Sequence, residues 1–142
     1  MKFSKMIWLA CGMAALVVFS GCQSTTPAEM VCGREWNSGS GTVADTTSTF
    51  ALNDPMLIQY NYGKGFDFAE LTITFYTGTD EQTKKKLWSH SASVNPKVSN
   101  YTLRGKSARE LTHQKTPGPI VVEISNGDRV LISKELNLVG KR

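Results

Sequence analysis

The stretch IVVEISNGDRVLISKELNL, residues 120–138, decides the fold class of this 142-residue chain. Residues 120–125 are rich in β-branched side chains, Asn126-Gly127 follows, and residues 130–138 alternate between apolar and polar side chains. Asn-Gly favours the two positive-φ positions of a type I′ turn, so the stretch predicts a β-hairpin. The apolar phase of its second strand places Lys134 on the inner face, where a bulge or a sheet edge would accommodate the charge.

Shorter runs of the same kind precede the hairpin and are separated by turn residues. The clearest is Leu71 to Tyr76, in which Leu71, Ile73 and Phe75 share one face and Tyr76 lies on the other. Further strands are predicted at 48–52, 56–62, 87–90 and 98–103. Ser107 and Glu110 have the Ser-x-x-Glu spacing of a capping box, which predicts a short helix before the final hairpin.

About seven short strands and one short helix predict an all-β fold, a two-sheet antiparallel sandwich over residues 46–142. The order of these elements resembles that of bacterial immunoglobulin-like domains. The resemblance is one of pattern, since the buried Trp and paired Cys of antibody-type domains are missing. A transthyretin-like sandwich and a small barrel fit the same pattern and stay open here.

The N-terminus carries a different signal. Lys2 and Lys5 are followed by an apolar run, residues 6–19, and then by small residues. A basic start, an apolar middle and small residues at the end are typical of a secretory signal peptide. The run is too short to span a bilayer, which takes roughly 20 apolar residues.

The end of this run, Phe19-Ser20-Gly21-Cys22, resembles the lipobox of bacterial lipoproteins, with Phe19 in place of the usual Leu. The resemblance implies that residues 1–21 are removed as a signal peptide. It also implies that Cys22 is acylated, becomes the first mature residue and makes membrane lipid a partner. Gln23 replaces the Asp that retains such proteins in the inner membrane, so the same resemblance implies the outer membrane, on either face.

Residues 22–45 are rich in Ser, Thr and Gly and predict a flexible tether between Cys22 and the sandwich. Trp36 interrupts this composition, either as a cap on the domain or as a docking residue for a protein partner. Cys32 is the one cysteine left once Cys11 is removed and Cys22 is acylated. It is either a free thiol without a role or the site of an intermolecular disulfide.

The sequence predicts no enzyme, metal site or cofactor. The two histidines, His90 and His113, lie in no recognisable motif, and Gly-x-Ser-x-Gly, His-x-x-x-His and Cys-x-x-Cys patterns are missing. Without Lys2 and Lys5, the 16 Lys and Arg fall to 14 against 12 Asp and Glu, a charge near +2. That charge is too small to indicate a nucleic acid partner.

What remains is binding. Tyr76 and Trp88 are candidate surface aromatics, which could stack on a glycan or anchor a protein. Lys84, Lys85 and Lys86 could contact anionic headgroups or phosphorylated sugars, or simply form a solvated loop. We expect an envelope lipoprotein acting as a non-catalytic protein-binding accessory, scaffold or pilot module. The alternatives are a module that binds cell-wall or surface glycan and an inhibitor or immunity-type lipoprotein that blocks a hydrolase.

Overall fold

The computed structural model describes residues 27–142, which form two packed β-sheets and one short helix. The elements are β1 (Glu29–Asn37), β2 (Thr42–Thr46), β3 (Thr49–Ala51), β4 (Pro55–Asn61), β5 (Glu70–Thr77), β6 (Lys85–Ser93), β7 (Asn100–Ser107), α1 (Ala108–Thr112), β8 (Gly118–Asn126) and β9 (Arg129–Val139). The predicted signal peptide, residues 1–21, and Cys22 lie outside the described residues. Within 27–142 no helix has the length and apolar character needed to cross a membrane.

One sheet has four strands in the order β2-β1-β4-β7, and the other has five in the order β3-β9-β8-β5-β6. β3 pairs with β9 in parallel, and the other six pairings in the described chain are antiparallel. The chain crosses repeatedly from one sheet to the other, so both sheets bury their inner faces in one core. The predicted all-β, two-sheet sandwich is confirmed, with nine strands in place of about seven.

The core follows the alternation seen in the sequence. Leu71, Ile73 and Phe75 on β5 are fully buried between the sheets, as predicted. Met56 and Ile58 on β4 face them from the opposite sheet and are also buried. Burial of one face of each sheet fixes the register of the strands, because a shift by one residue would expose every apolar side chain on that face.

β1 and β2 occupy most of the segment predicted as a tether, residues 22–45. β1 pairs with β4 over five residues, from Glu29 opposite Asn61 to Gly33 opposite Leu57. The tether prediction is therefore wrong from Glu29 onward. Its polar composition belongs to a hairpin whose strands are held by backbone hydrogen bonds and whose turn is itself rich in Ser and Gly.

Cys32 lies on β1 with 1% of its surface exposed and is a free thiol. Burial raises its pKa to about 11, against a smaller lowering effect of the nearby Lys134 charge. The thiol is therefore protonated at neutral pH and shielded from other molecules. This burial favours the interpretation as a buried free thiol over an intermolecular disulfide.

The predicted hairpin forms from β8 and β9, but its turn lies one residue later than expected. Asn126 pairs with Arg129, so Gly127 and Asp128 are the two central residues. Of these two only Gly127 has a positive φ, 60°, which is the pattern of a type II′ turn. The type I′ prediction is wrong because Asn126 stays in the strand, where its side-chain amide donates to the carbonyl of Glu70 at 2.8 Å.

Lys134 lies on the inner side of β9, opposite Val122, as the apolar phase predicts. The parallel pairing with β3 covers only residues 137–139 of β9, which leaves the sandwich open beside Lys134. Its ammonium donates to the carbonyl oxygen of Met30 at 3.1 Å. The sheet edge therefore resolves the inward charge, one of the two solutions that the sequence analysis left open.

The strands give the sandwich two ends, which we call the near end and the far end. The near end holds the start of β1 and the loops 62–69, 94–99 and 127–128. The far end holds the turns 38–41 and 52–54, the loop 78–84, α1 and the C-terminus. The segment that precedes β1 joins the domain at the near end, and the far end lies at the opposite end of the strands.

At the far end, Asp54 links three segments of the chain through hydrogen bonds and ion pairs. Its carboxylate accepts hydrogen bonds from the Ala51 N–H at 2.9 Å and from Arg142 Nε at 3.1 Å. Arg34 approaches the same carboxylate at 3.5 Å. Burial alone would raise the pKa of Asp54, but the hydrogen bonds from Arg142 and Ala51 outweigh it and lower that pKa.

Replacing Asp54 with Asn should lower the free energy of unfolding at pH 7 by about 1–3 kcal/mol, because two arginines lose their shared carboxylate. A lowered pKa in the folded state stabilises the protein above the ordinary Asp value of about 3.9, and this contribution is lost as pH falls through the folded pKa. Urea titrations at neutral and acidic pH should therefore show a shallower decline below about pH 4 for Asp54→Asn than for wild type. Asp67→Asn, at an exposed carboxylate, is the control; equal losses in both variants would contradict the role of Asp54.

Candidate functional site

Trp36 lies near the end of β1 and pairs with Val43 of β2. The guanidinium carbon of Arg104 lies 4.6 Å from the centroid of its ring, a cation–π contact. Val43 and Leu57 are buried without belonging to the core between the sheets, which places them on the outer side of the four-stranded sheet. Trp36 is therefore a half-buried strand residue of the folded domain, close to its far end.

Tyr76 has the opposite phase to Ile73 and Phe75 and lies on the outer face of the five-stranded sheet. The ammonium of Lys84 sits 4.4 Å from the centroid of its ring, and the hydroxyl donates to Glu123 at 3.4 Å. Burial, followed by the negative charge of Glu123, raises the pKa of Tyr76. One face of the Tyr76 ring is thus already occupied by a cation.

The three lysines have different environments. Lys84 is half-buried and forms ion pairs with Glu81 at 3.2 Å and Glu123 at 3.9 Å. Lys85 and Lys86 are exposed at the start of β6, which is the edge strand of its sheet. Charged side chains on an edge strand discourage pairing with other chains. Lys84 is therefore engaged in ion pairs within the domain, whereas Lys85 and Lys86 are exposed cations with no ion pair in the described chain.

Trp88 lies on β6 directly opposite Phe75, and the two ring centroids are 6.3 Å apart. Two histidines stack nearly parallel to its indole, His113 with a centroid distance of 4.7 Å and His90 with 5.5 Å. His113 is the C-cap of α1, where its φ of 66° ends the helix. The structure thus brings together three residues that the sequence analysis treated separately, and His113 covers the indole face on which a sugar would stack.

A surface around α1 was missed from the sequence. It is defined here as the α1 surface by four exposed cations: Lys106, Arg109, Lys115 and Lys141. They come from the end of β7, from α1 itself, from the following loop and from the C-terminal segment. The capping box in the sequence predicts the helix α1. It does not predict which cations from other segments lie beside that helix.

The capping box itself is confirmed. The Glu110 N–H donates to Ser107 Oγ at 3.3 Å, and the Ser107 N–H donates to Glu110 Oε2 at 2.9 Å. The hydrogen bonds from the Ser107 backbone and side chain lower the pKa of Glu110, with a smaller effect from the Lys106 charge. The one carboxylate among these four cations is therefore engaged in holding the helix.

Two shallow cavities flank α1 at the far end. One, of about 410 Å³, lies between Leu87, His113 and Lys115. The other, of about 320 Å³, lies between Leu52, Asn53 and Lys141. Both share Arg109 and Glu110 as a common wall. The two cavities therefore place a leucine side chain, Leu87 or Leu52, beside the positive charges of the α1 surface.

A third cavity, of about 430 Å³, lies under the loop that joins β5 to β6. Two carboxylates and two ammonium groups line it, and Val121 contributes the apolar part; the charged residues are Glu81, Lys84, Lys134 and Glu135. Lys84 is already paired there with Glu81. Among residues 27–142 no group of three or more His, Cys, Asp or Glu side chains is placed to hold a metal ion.

The fold defines a class of protein, the immunoglobulin-like β-sandwich. A solved structure described as an immunoglobulin-like protein from Pseudomonas aeruginosa superposes on this chain with a TM-score of 0.51 and 14% sequence identity. The likeness covers 81% of this chain and 98% of that one, and at this identity it shows the fold alone. No family model matches the chain, and a search of curated proteins finds no match.

Proposed function

We propose that the protein is a lipid-anchored envelope lipoprotein whose immunoglobulin-like domain is a non-catalytic, protein-binding accessory, scaffold or pilot module. The anchor rests on the resemblance of Phe19-Ser20-Gly21-Cys22 to a lipobox. Gln23 after the cysteine favours the outer membrane by the same resemblance. The binding role rests on how the domain presents its surfaces relative to that anchor.

The observation that carries this proposal is that β1 begins at Glu29, seven residues after Cys22. A chain of that length reaches at most about 25 Å, even fully extended. The near end of the sandwich is therefore held within about 25 Å of the lipid, and the far end can extend about 30 Å further, given strands of this length. Trp36, Arg104 and the α1 surface lie toward that far end and face a partner away from the membrane.

The aromatic contacts favour a protein partner over a glycan. Sugar stacking needs a free ring face, but Lys84 covers one face of Tyr76 and His113 covers one face of Trp88. Lys85 and Lys86 lie at the far end, away from the end where the chain enters the domain. Trp36 also has one ring face covered, by Arg104, but an aromatic ring and an arginine are the residue types enriched at the centres of protein interfaces.

The proposal is tested by in-cell crosslinking from the two ends of the domain. A photoreactive residue replaces Trp36 in one strain and Val98, 41% exposed at the near end, in another. We expect a discrete protein adduct from position 36 and none of the same mass from position 98. Adducts to glycan fragments alone from position 36, or no protein adduct from any position at the far end, would contradict a protein-binding role. A hydrolase as the adduct would favour the inhibitor or immunity-type alternative.

A further inference from the structure

We propose that the α1 surface binds an acidic segment of a protein partner, with apolar side chains of that segment seated in the two cavities beside α1. This inference rests on the proposed function and names the chemistry of its partner. It is carried by three observations: unpaired positive charge, the distribution of charge along the domain, and the apolar cavity walls.

The first observation is that, within residues 27–142, the four cations of the α1 surface form no ion pair with a carboxylate. The ion pairs within residues 27–142 engage Arg34, Lys84 and Arg142, and none involves the α1 surface. Glu110 lies among the cations, but its Oε2 accepts from both the N–H and the hydroxyl of Ser107. The surface therefore presents a net positive charge that the fold itself does not neutralise.

The second observation is that the excess of positive charge lies at one end. The near end mixes both signs: Lys64, Lys97 and Arg129 lie with Glu29, Asp67, Glu70 and Asp128. At the far end, Lys85, Lys86 and Arg104 add to the α1 surface, again without ion pairs in the described chain. The exposed carboxylates at this end, Glu35, Asp80, Glu81 and Glu110, are fewer than the cations, so the far end is net positive. A positive face of this kind speeds encounter with a negative partner and excludes positive ones.

The third observation, the apolar walls of the two cavities, favours a protein partner over a simple polyanion. Leu87 lines one cavity, beside the stacked rings of His113 and Trp88, and Leu52 lines the other. A phosphate-rich or carboxylate-rich polymer would gain from the cations and nothing from these apolar walls. A peptide segment that carries Asp or Glu around large apolar residues would use both, because buried apolar anchors supply most of the affinity of an interface.

The test uses the full-length protein in cells, with a photoreactive residue in place of the exposed Thr116, next to Lys115. We expect a protein adduct whose crosslinked site maps to a segment with net negative charge and at least one large apolar residue. In the same background, Arg109→Glu with Lys115→Glu should lower the adduct yield at least tenfold. The matched control, Lys64→Glu with Lys97→Glu at the near end, makes the same change in net charge and should leave the yield unchanged.

Both substituted pairs are exposed, and circular dichroism of the purified variants checks that each still folds. Arg109→Gln with Lys115→Gln, which removes charge without reversing it, should give an intermediate yield. Adduct yield in solubilised envelopes should also fall when ionic strength rises from about 0.05 M to about 0.5 M, because exposed charge pairs are screened.

Four outcomes would overturn the inference: no adduct from position 116, an adduct to glycan, an adduct to a neutral or basic segment, or an equal yield in the charge-reversed variant. Failure of the proposed function is distinguishable. If position 36 still yields a protein adduct, the domain binds a protein elsewhere and only the assignment to the α1 surface is wrong. If neither position yields one, the protein-binding role itself fails.

Discussion

Replacing Cys22 with alanine should remove the protein from the membrane fraction, leaving it either soluble in the envelope or as an uncleaved precursor. The lipobox resemblance implies that this sulfur is the point of lipid attachment. Each buried methylene of an acyl chain contributes about 0.8 kcal/mol to membrane binding, and stable anchoring takes more than one chain. Loss of the acylated cysteine should therefore change the distribution almost completely, as measured by fractionation and immunoblotting.

The matched control is Cys32→Ala. This substitution also removes a cysteine, but one that is buried in the sandwich and contributes packing only. The Cys32→Ala protein should stay in the membrane fraction at its mature size. A Cys22→Ala protein that is fully processed and still membrane-bound would contradict the lipoprotein interpretation.

Replacing Phe75 with alanine should lower the free energy of unfolding by about 3–5 kcal/mol, the cost usual for truncating a buried phenylalanine. Phe75 is fully buried at the centre of β5, between β6 and β8. It also stacks on Trp88 with a centroid distance of 6.3 Å, so the cavity left behind would reach the edge of the sandwich. Urea titration followed by circular dichroism measures the loss.

Val130→Ala is the control, at a side chain that is 54% exposed, and should change stability by no more than about 0.5 kcal/mol. Since small domains are stable by only about 5–15 kcal/mol, the Phe75→Ala protein could be largely unfolded. Phe75→Leu, which keeps most of the volume, should then give a measurable, smaller loss. Equal effects of Phe75→Ala and Val130→Ala would show that β5 is not central to the core.

Strands whose side chains alternate between apolar and polar were predictable from sequence, because one face of each strand lies against the core and the other does not. β5 and the β8–β9 hairpin are of this kind, and the capping box made α1 predictable as a local motif. β1 and β2 were not predictable, because their place in the sheet comes from pairing with β4, nearly 30 residues further on. Composition alone could not distinguish a polar hairpin from a tether.

The candidate site was predictable only in part, for a related reason. Trp36, Tyr76 and Trp88 could be named as aromatics, but the cations and histidines that cover their rings come from distant segments. The α1 surface combines residues from β7, α1, a loop and the C-terminus. The sequence positions of these lysines and arginines do not predict that the folded chain brings them together on one surface.

Attachment of the domain to lipid through Cys22 is the proposal on which the roles of the near and far ends depend. The most direct test is mass spectrometry of the N-terminal peptide of the mature protein purified from membranes. We expect a chain that begins at Cys22 and carries the added mass of acyl chains on that residue. An N-terminus at any other residue, or a Cys22 of unmodified mass, would contradict this proposal.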